Sequence, residues 1–292
     1  MFSQIPQTPE QIEALLRGTV VYPRSVQAAG GEVLCFAKDA HQHYLLAVFN
    51  PQLPPFLREG LSGEVQDLSE TLAVKWCFPS HSNAKKLRAL FPWTGSHSLG
   101  ETPTLAVRDL IGLAAPGIIA AHAAHEFSFA LAFEAAPGEL AALSRTMDEA
   151  SDAVTFAVFQ ENYRRPWAMR AAELSTADEE LLDEKLGYTE FAFAHDHAAH
   201  GRAEKEAWLD AALQTVAQGA PELFGEIEAD GAEFAQWWTA RTETGAWRFR
   251  DRVYRTLLDN EAEHFKHIHD AALRLFTEFE REIEGGREAS VS

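Results

Sequence analysis

The chain has 292 residues, of which 46% are hydrophobic and 11% aromatic, so it is long enough to bury one large core or two modest ones. It carries 44 acidic against 25 basic residues, and the net charge of −19 repels phosphate backbones and anionic lipid. This argues against binding to nucleic acid or to a membrane surface. A small anionic ligand is still compatible with the charge, because one or two buried arginines outweigh a distant, screened surface field. The N-terminus lacks a basic start and an apolar stretch, and no run reaches about 18 apolar residues, so we expect a cytoplasmic protein outside membranes.

The first segment, 1–80, is predicted to form a small antiparallel sheet. A short helix over 7–16 precedes three β-rich runs at 20–22, 33–36 and 44–49, which are separated by turn residues. Another strand candidate lies at 72–78. Cys35 and Cys77 each lie in one of these apolar runs, which indicates reduced thiols in the core of a protein from a reducing compartment.

The second segment, 81–201, is predicted to be a βα core. A basic amphipathic piece at 84–91 indicates a short helix. Three short apolar runs then alternate with helical stretches, of which 177–185 is one. The predicted strands are 127–133, 154–159 and 189–193. Such alternation favours a parallel sheet or a segment of a barrel.

The third segment, 202–292, is predicted to be wholly helical and to pack on the core. Apolar residues over 247–283 recur at spacings of three, four and seven, which predicts one long amphipathic helix. Glu263, His264, His267 and Asp270 share one edge of that helix. They form either half of a metal site or the solvated flank of the helix, and the second interpretation is favoured.

Four stretches, taken together and in order, resemble the tagaturonate/fructuronate epimerase family of bacterial hexuronate metabolism. They are 21–25, 108–117, 147–150 followed by 157–163, and 221–224 with the last long helix. The Val-Phe-Gln-Glu run ending at Glu161 is the most specific. The resemblance implies a shortened, divergent member with a partial, TIM-barrel-like βα core, a small N-terminal antiparallel sheet and a helical C-terminal region. It also implies an isomerase that inverts one carbon of a keto-hexuronate with the help of a divalent metal.

Carried over residue by residue, the resemblance implies that Asp109, Gln160 and Glu161 are catalytic. The arginine that the family has after its aspartate is replaced by Leu110, which cannot hold a substrate carboxylate. The family's Asp-rich stretch corresponds to 167–173, where Glu173 alone can act as a ligand, and a block of the family sequence before 221 is missing. These departures leave two hypotheses: an epimerase of altered activity, or a non-catalytic pseudoenzyme that senses a ligand or binds a partner.

His195 and His197 follow directly on the predicted strand 189–193, where barrel and doubly wound enzymes place their sites. With Glu173 they are the predicted ligands of a divalent metal, Zn, Ni or Mn, and no nucleotide cofactor is expected. The alternative is a polar loop with solvated histidines.

Arg164, Arg165 and Arg170 form an arginine-rich group in an acidic chain. They are predicted to bind the carboxylate of a small anionic sugar acid, in place of the arginine lost at Leu110. The alternative is that they pair with nearby glutamates. A second copy of the chain, completing the shortened barrel as a homo-oligomer, is a further hypothesis.

Overall fold

The computed structural model of the protein describes residues 5–174, 187–193 and 253–291. The chain divides into two compact units that are not continuous in sequence. The first unit comprises Met1–Gly95 and Ser151–Arg165, and the second comprises Ser96–Ala150 and Pro166–Ser292. The predicted segments 1–80, 81–201 and 202–292 are each continuous in sequence, unlike these two units. The segments stay a prediction, because most of the third lies outside the described residues.

The first unit contains a six-stranded antiparallel sheet, as predicted, in the order β1-β3-β4-β6-β5, with β2 paired to β3. Its helix α1, Pro9–Leu15, begins at a capping box formed by Thr8 and Gln11. The remaining elements are β1 (Val20–Val21), β2 (Gln27–Ala29), β3 (Glu32–Lys38), β4 (His43–Phe49), β5 (Glu64–Ser69), β6 (Leu72–Cys77) and α2 (His81–Leu90).

The strands β3 and β4 are buried on both faces. Leu34 and Phe36 belong to a cluster with α2, whereas Val33 and Cys35 belong to a cluster with Ile12 of α1. Successive side chains of a strand point to opposite faces, so each strand contributes to both clusters. Both cysteines are free and fully buried, and burial raises the pKa of Cys35 to about 12.

The second unit contains a four-stranded, all-parallel sheet in the order β10-β9-β8-β7. Its elements are β7 (Thr104–Arg108), α3 (Ala115–Ala123), β8 (Ala130–Ala135), α4 (Pro137–Ala142), β9 (Trp167–Leu174), β10 (Glu190–Phe193) and α6 (Glu261–Val291). The sheet is open over the described residues, and no closed barrel is present among them. Neighbouring strands are consecutive in sequence, and their parallel pairing is what the predicted βα alternation favours.

The predicted strand at 154–159 is wrong, because these residues lie in the helix α5, Met147–Gln160. Thr146 and Glu149 form a capping box: the Thr146 amide donates to the Glu149 carboxylate at 3.0 Å, and the Glu149 amide donates to Oγ1 of Thr146 at 3.1 Å. The apolar run alone did not distinguish a buried helix from a strand. The strand β9 was not predicted.

The C-terminal region is helical where it is described, with residues 253–259 preceding α6 and a break at Asn260. The helix α6 packs against α3 of the same unit. Gly117 of α3 lies so close that a Cβ there would come within 3.0 Å of the Ile268 side chain. None of the helices in the described residues is long and apolar enough to cross a membrane.

Candidate functional site

The carboxyl ends of the four parallel strands share one edge of the sheet of the second unit. Arg108 ends β7, and strand pairing aligns it with Glu134 of β8, which in turn aligns with Arg170 of β9. Glu173 lies near the end of β9, and Glu139 follows β8 in α4. We call these five residues the carboxyl-edge cluster. The carboxyl edge is where enzymes with parallel sheets place their active sites.

Arg108 is the centre of the carboxyl-edge cluster. Its Nε and Nη2 donate to Oε1 of Glu134 at 3.1 and 2.6 Å, and its Nη1 donates to Oε1 of Glu139 at 2.5 Å. Its Nη2 also contacts Oε1 of Glu173 at 3.1 Å. Nη1 of Arg170 lies 3.6 Å from Oε2 of Glu134. Two guanidinium groups therefore hold three carboxylates in fixed positions.

The charges of the cluster shift its proton equilibria. Burial alone would lower the pKa of Arg108, but the three carboxylates outweigh burial and raise it. The pKa of Glu139 is raised, first by burial and then by repulsion from Glu173 and Glu134, against the opposing effect of Arg108. Oε2 of Glu139 is buried and has no hydrogen-bond partner among the described residues. Glu139 is therefore the member of the cluster best suited to hold a proton.

Glu173 has an unusual backbone. Its φ is 55°, in the left-handed region that a glutamate seldom adopts. The pairing of β9 with β10 shifts register between Phe191 and Phe193, at the same level of the sheet. A bulge of this kind re-aims a side chain, and such strain is frequent at functional sites. Here the Glu173 side chain reaches Arg108 while remaining 41% exposed to solvent.

Asp109, predicted to be catalytic, caps the loop that leads into α3. Its Oδ1 accepts from the amides of Gly112 and Leu113 at 2.7 and 3.2 Å, and its Oδ2 accepts from those of Ala114 and Ala115 at 2.9 and 2.8 Å. Arg145 donates to the carbonyl oxygens of Asp109 and Leu110. The carboxylate is thus occupied by backbone amides in this structure, and a catalytic role for Asp109 stays a prediction.

Gln160 and Glu161 belong to the first unit, whereas Asp109 belongs to the second. Gln160 is the last residue of α5, and Glu161 follows it. Nε2 of Gln160 donates to Oε1 of Glu161 at 3.3 Å, and Arg24 contacts Oε2 of Glu161 at the same distance. The Glu161 side chain is only 8% exposed. The structure therefore brings the Gln-Glu pair to Arg24, within the segment 21–25 that also carries the resemblance.

The three arginines of the predicted substrate site do not lie together in one unit. Arg170 contacts Glu134 in the second unit, as the ion-pair alternative expects. Arg164 and Arg165 belong to the first unit. The Arg164 guanidinium lies over the ring of Trp93, with its Cζ 3.8 Å from the ring centroid. Their role in substrate binding stays a prediction.

The predicted metal ligands are described only in part. Glu173 lies at the carboxyl edge, whereas His195 and His197 lie outside the described residues. Within the described residues no three histidine, cysteine, aspartate or glutamate side chains are grouped so as to hold a metal ion. On α6, His264 is buried while Glu263 and Asp270 are exposed, so these side chains do not share one environment. The metal site stays a prediction.

Three members of the carboxyl-edge cluster, Arg108, Glu134 and Glu139, were not predicted as site residues. A signal for two of them is present in the sequence, because a charged residue at the carboxyl end of an apolar parallel strand is costly unless it is paired. Arg108 and Glu134 both occupy such positions. Their pairing depends on the register of strands that are distant in sequence.

Comparison with known families matches residues 22–207 to the family UxaE, tagaturonate epimerase, which is more than half of the chain. No curated protein matches. Among solved structures, the chain is similar to native fructuronate-tagaturonate epimerase UxaE from Cohnella laeviribosi, with a TM-score of 0.53, 24% identity, and coverage of 68% of this chain and 40% of that one. The same enzyme with two glycerols gives a TM-score of 0.52 and 26% identity, with coverage of 68% and 40%. The form with one glycerol gives 0.53 and 24%, with coverage of 73% and 43%. The chain spans less than half the length of these relatives.

Proposed function

Because the chain belongs to the tagaturonate epimerase family UxaE, we propose that it is a divergent, metal-dependent epimerase of keto-hexuronates with its active site at the carboxyl edge of β7–β10. The observation that carries this proposal is the convergence of Arg108, Glu134, Glu139, Arg170 and Glu173 at that edge. The parallel sheet is, in this proposal, an abbreviated segment of a TIM-barrel-like core.

The metal in this proposal is held by Glu173 together with His195 and His197. Glu173 suits a ligand because it is 41% exposed at the edge and its Oε1 accepts from Arg108 at 3.1 Å. An outer hydrogen bond of this kind orients a ligating carboxylate. The two histidines follow the last residue of β10, Phe193, by two and four positions in sequence. Carboxylate oxygen and imidazole nitrogen suit Zn, Ni or Mn, and such an ion stabilises negative charge on a carbonyl oxygen when bound.

Inversion at a carbon that bears a hydroxyl group proceeds either by cleavage and re-formation of a carbon–carbon bond through an enolate, or by proton transfer between well-placed groups. Both routes need a group that takes a proton from the substrate and later returns one. Glu139 is the candidate for this step, since its raised pKa and its buried, unpartnered Oε2 allow it to take up and return a proton. Arg108 limits that rise in pKa by pairing with Oε1 of Glu139. Asp109 has a positioning role, because its carboxylate fixes the loop next to Arg108.

The test uses the whole chain purified with added Zn, Ni or Mn. Bound metal is measured by mass spectrometry after desalting, and conversion of tagaturonate or fructuronate is followed by proton NMR. We expect metal retention and epimerisation in the wild-type chain. We expect metal affinity to fall at least about tenfold in Glu173→Gln and in the double variant His195→Ala/His197→Ala, because loss of an outer-shell partner alone already costs about that factor. Glu59→Gln and His41→Ala, at exposed positions, are the matched controls. Absence of both metal retention and turnover would overturn the proposal.

A second candidate function, a non-catalytic ligand-sensing protein, is favoured by one observation at the same edge. Leu110 stands where the family has an arginine, and Arg108 is already neutralised by three carboxylates. If metal or sugar acid binds but no epimerisation occurs with either substrate, this second function is supported and the first is refuted.

A further inference from the structure

Arg164 of the first unit stacks on an aromatic ring in a fixed orientation. Its guanidinium carbon lies 3.8 Å from the centroid of Trp93. Trp93 also stacks on the buried ring of Phe159, with centroids 6.0 Å apart and an angle of 16° between the planes. A planar guanidinium on an indole is held by cation–π attraction and loses little further freedom when it binds a ligand.

The end of α5 places Arg164 on Trp93. Asn162 has a φ of 50°, and the amide of Tyr163 donates to the carbonyl of Val158 at 3.0 Å. The amide of Asn162 donates to the carbonyl of Phe159 at 3.2 Å. This is a Schellman ending with asparagine at the left-handed position. Oδ1 of Asn162 then accepts from Nε of Arg164 at 2.8 Å.

The partners of Arg164 are neutral. Besides Asn162, Oε1 of Gln27 accepts from its Nη2 at 3.2 Å. Other arginines of the same unit pair with carboxylates: Arg58 with Glu32, and Arg88 with Asp152.

Within the described part of the chain no carboxylate pairs with Arg164, which is exposed to solvent. Among the described residues its positive charge is therefore oriented but has no carboxylate partner, in a chain whose net charge is −19.

We propose that Arg164, Trp93, Asn162 and Gln27 form a binding site in the first unit for the carboxylate of a small sugar acid. The carboxamides hold Nε and one N–H of Nη2, so the remaining N–H groups lie on Nη1 and Nη2, the pair that forms a two-point fork with a carboxylate. Nε2 of Gln27 donates to Oδ1 of Asn162 at 3.5 Å. The second N–H of Gln27 and the carboxamide N–H groups of Asn162 are suited to sugar hydroxyls. That the acid is a sugar acid rests on the proposed function, whereas carboxylate recognition rests on Arg164 alone.

The test is titration of the whole chain with D-galacturonate, with binding measured by calorimetry and by ligand-observed NMR. D-Galactose, which has the same ring without the carboxylate, is the ligand control. Arg164→Gln removes the fork, and Arg17→Gln removes the same charge at another exposed position of the first unit.

Asn162→Asp is the most informative variant, since it keeps the shape of the residue and the left-handed backbone but places a carboxylate on Arg164. A purely structural role for Arg164 predicts that this variant leaves ligand binding unchanged.

We expect saturable binding of galacturonate but not galactose. We expect binding at least about tenfold weaker in Arg164→Gln and Asn162→Asp, no change in Arg17→Gln, and no loss of unfolding free energy in Asn162→Asp. Galacturonate binding that is absent, matched by galactose, or unaffected by Arg164→Gln would overturn the inference. If the wild-type chain shows neither metal retention nor epimerisation but binds galacturonate, and Arg164→Gln weakens that binding, the proposed function is refuted and this inference stands.

Discussion

Replacing Asp109 by asparagine separates a structural role from a catalytic one. The Asp109 carboxylate accepts two backbone amides on each oxygen. Asparagine keeps one acceptor oxygen and puts an N–H₂ group at the other position, so one pair of amides must lose its partner. Each lost hydrogen bond to a charged group costs about 1.5–3 kcal/mol. Because Asp109 is only half-buried and water replaces part of the loss, we expect Asp109→Asn to lower the unfolding free energy by about 2–4 kcal/mol.

The assay is urea unfolding followed by circular dichroism, together with hydrogen exchange at the amides of Gly112 to Ala115. Asp39→Asn is the matched control, because both amide bonds of Asp39 go to one oxygen, Oδ1, and asparagine can keep them. We expect faster exchange at the α3 cap in Asp109→Asn, and a smaller loss of unfolding free energy in Asp39→Asn than in Asp109→Asn.

Unchanged stability and unchanged exchange in Asp109→Asn would refute the capping argument. If epimerisation were then lost in the same stable variant, the sequence-based assignment of Asp109 as a catalytic residue would be supported.

Three further predictions concern ionisable groups inside single units. Glu139 has a folded pKa above its unfolded value, so the wild type should gain stability relative to Glu139→Gln as the pH falls from 7 toward 4.5, in urea unfolding at several pH values. The pKa of His264 is lowered, mainly by burial, so its contribution to stability is complete above pH 6.5 and is lost as the pH falls below that value. His264→Gln should lose less unfolding free energy over this pH range than the wild type, and a pH profile of the variant parallel to that of the wild type would contradict the prediction. Asp152→Asn removes the charge that pairs with Arg88, whose side chain is only 13% exposed, and should lower the unfolding free energy by about 3 kcal/mol in calorimetric or urea unfolding. A loss near zero would show that water replaces the ion pair.

Local patterns predicted most of the first unit and part of the second. The strands around Cys35 and Cys77, the helix after Thr8 and the strand before His195 follow from apolar runs, turn residues and capping signals that lie close together in sequence. The helix over 154–159 was mistaken for a strand, although the capping box at Thr146 was present in the sequence. A short apolar run carries no clear period, so the cap, rather than the run, indicated the helix.

The sequence by itself determined the family resemblance, the acidic character, and the presence of an antiparallel sheet followed by a βα region. Only the tertiary structure decided which charged residues meet. Arg108 joins Glu134, Glu139 and Glu173 because parallel strands place residues far apart in sequence in one row, whereas Gln160 and Asp109 fall in different units. Periodicity along the chain reports which face of a strand a residue occupies, but strand register, set by packing over long separations, determines its neighbour.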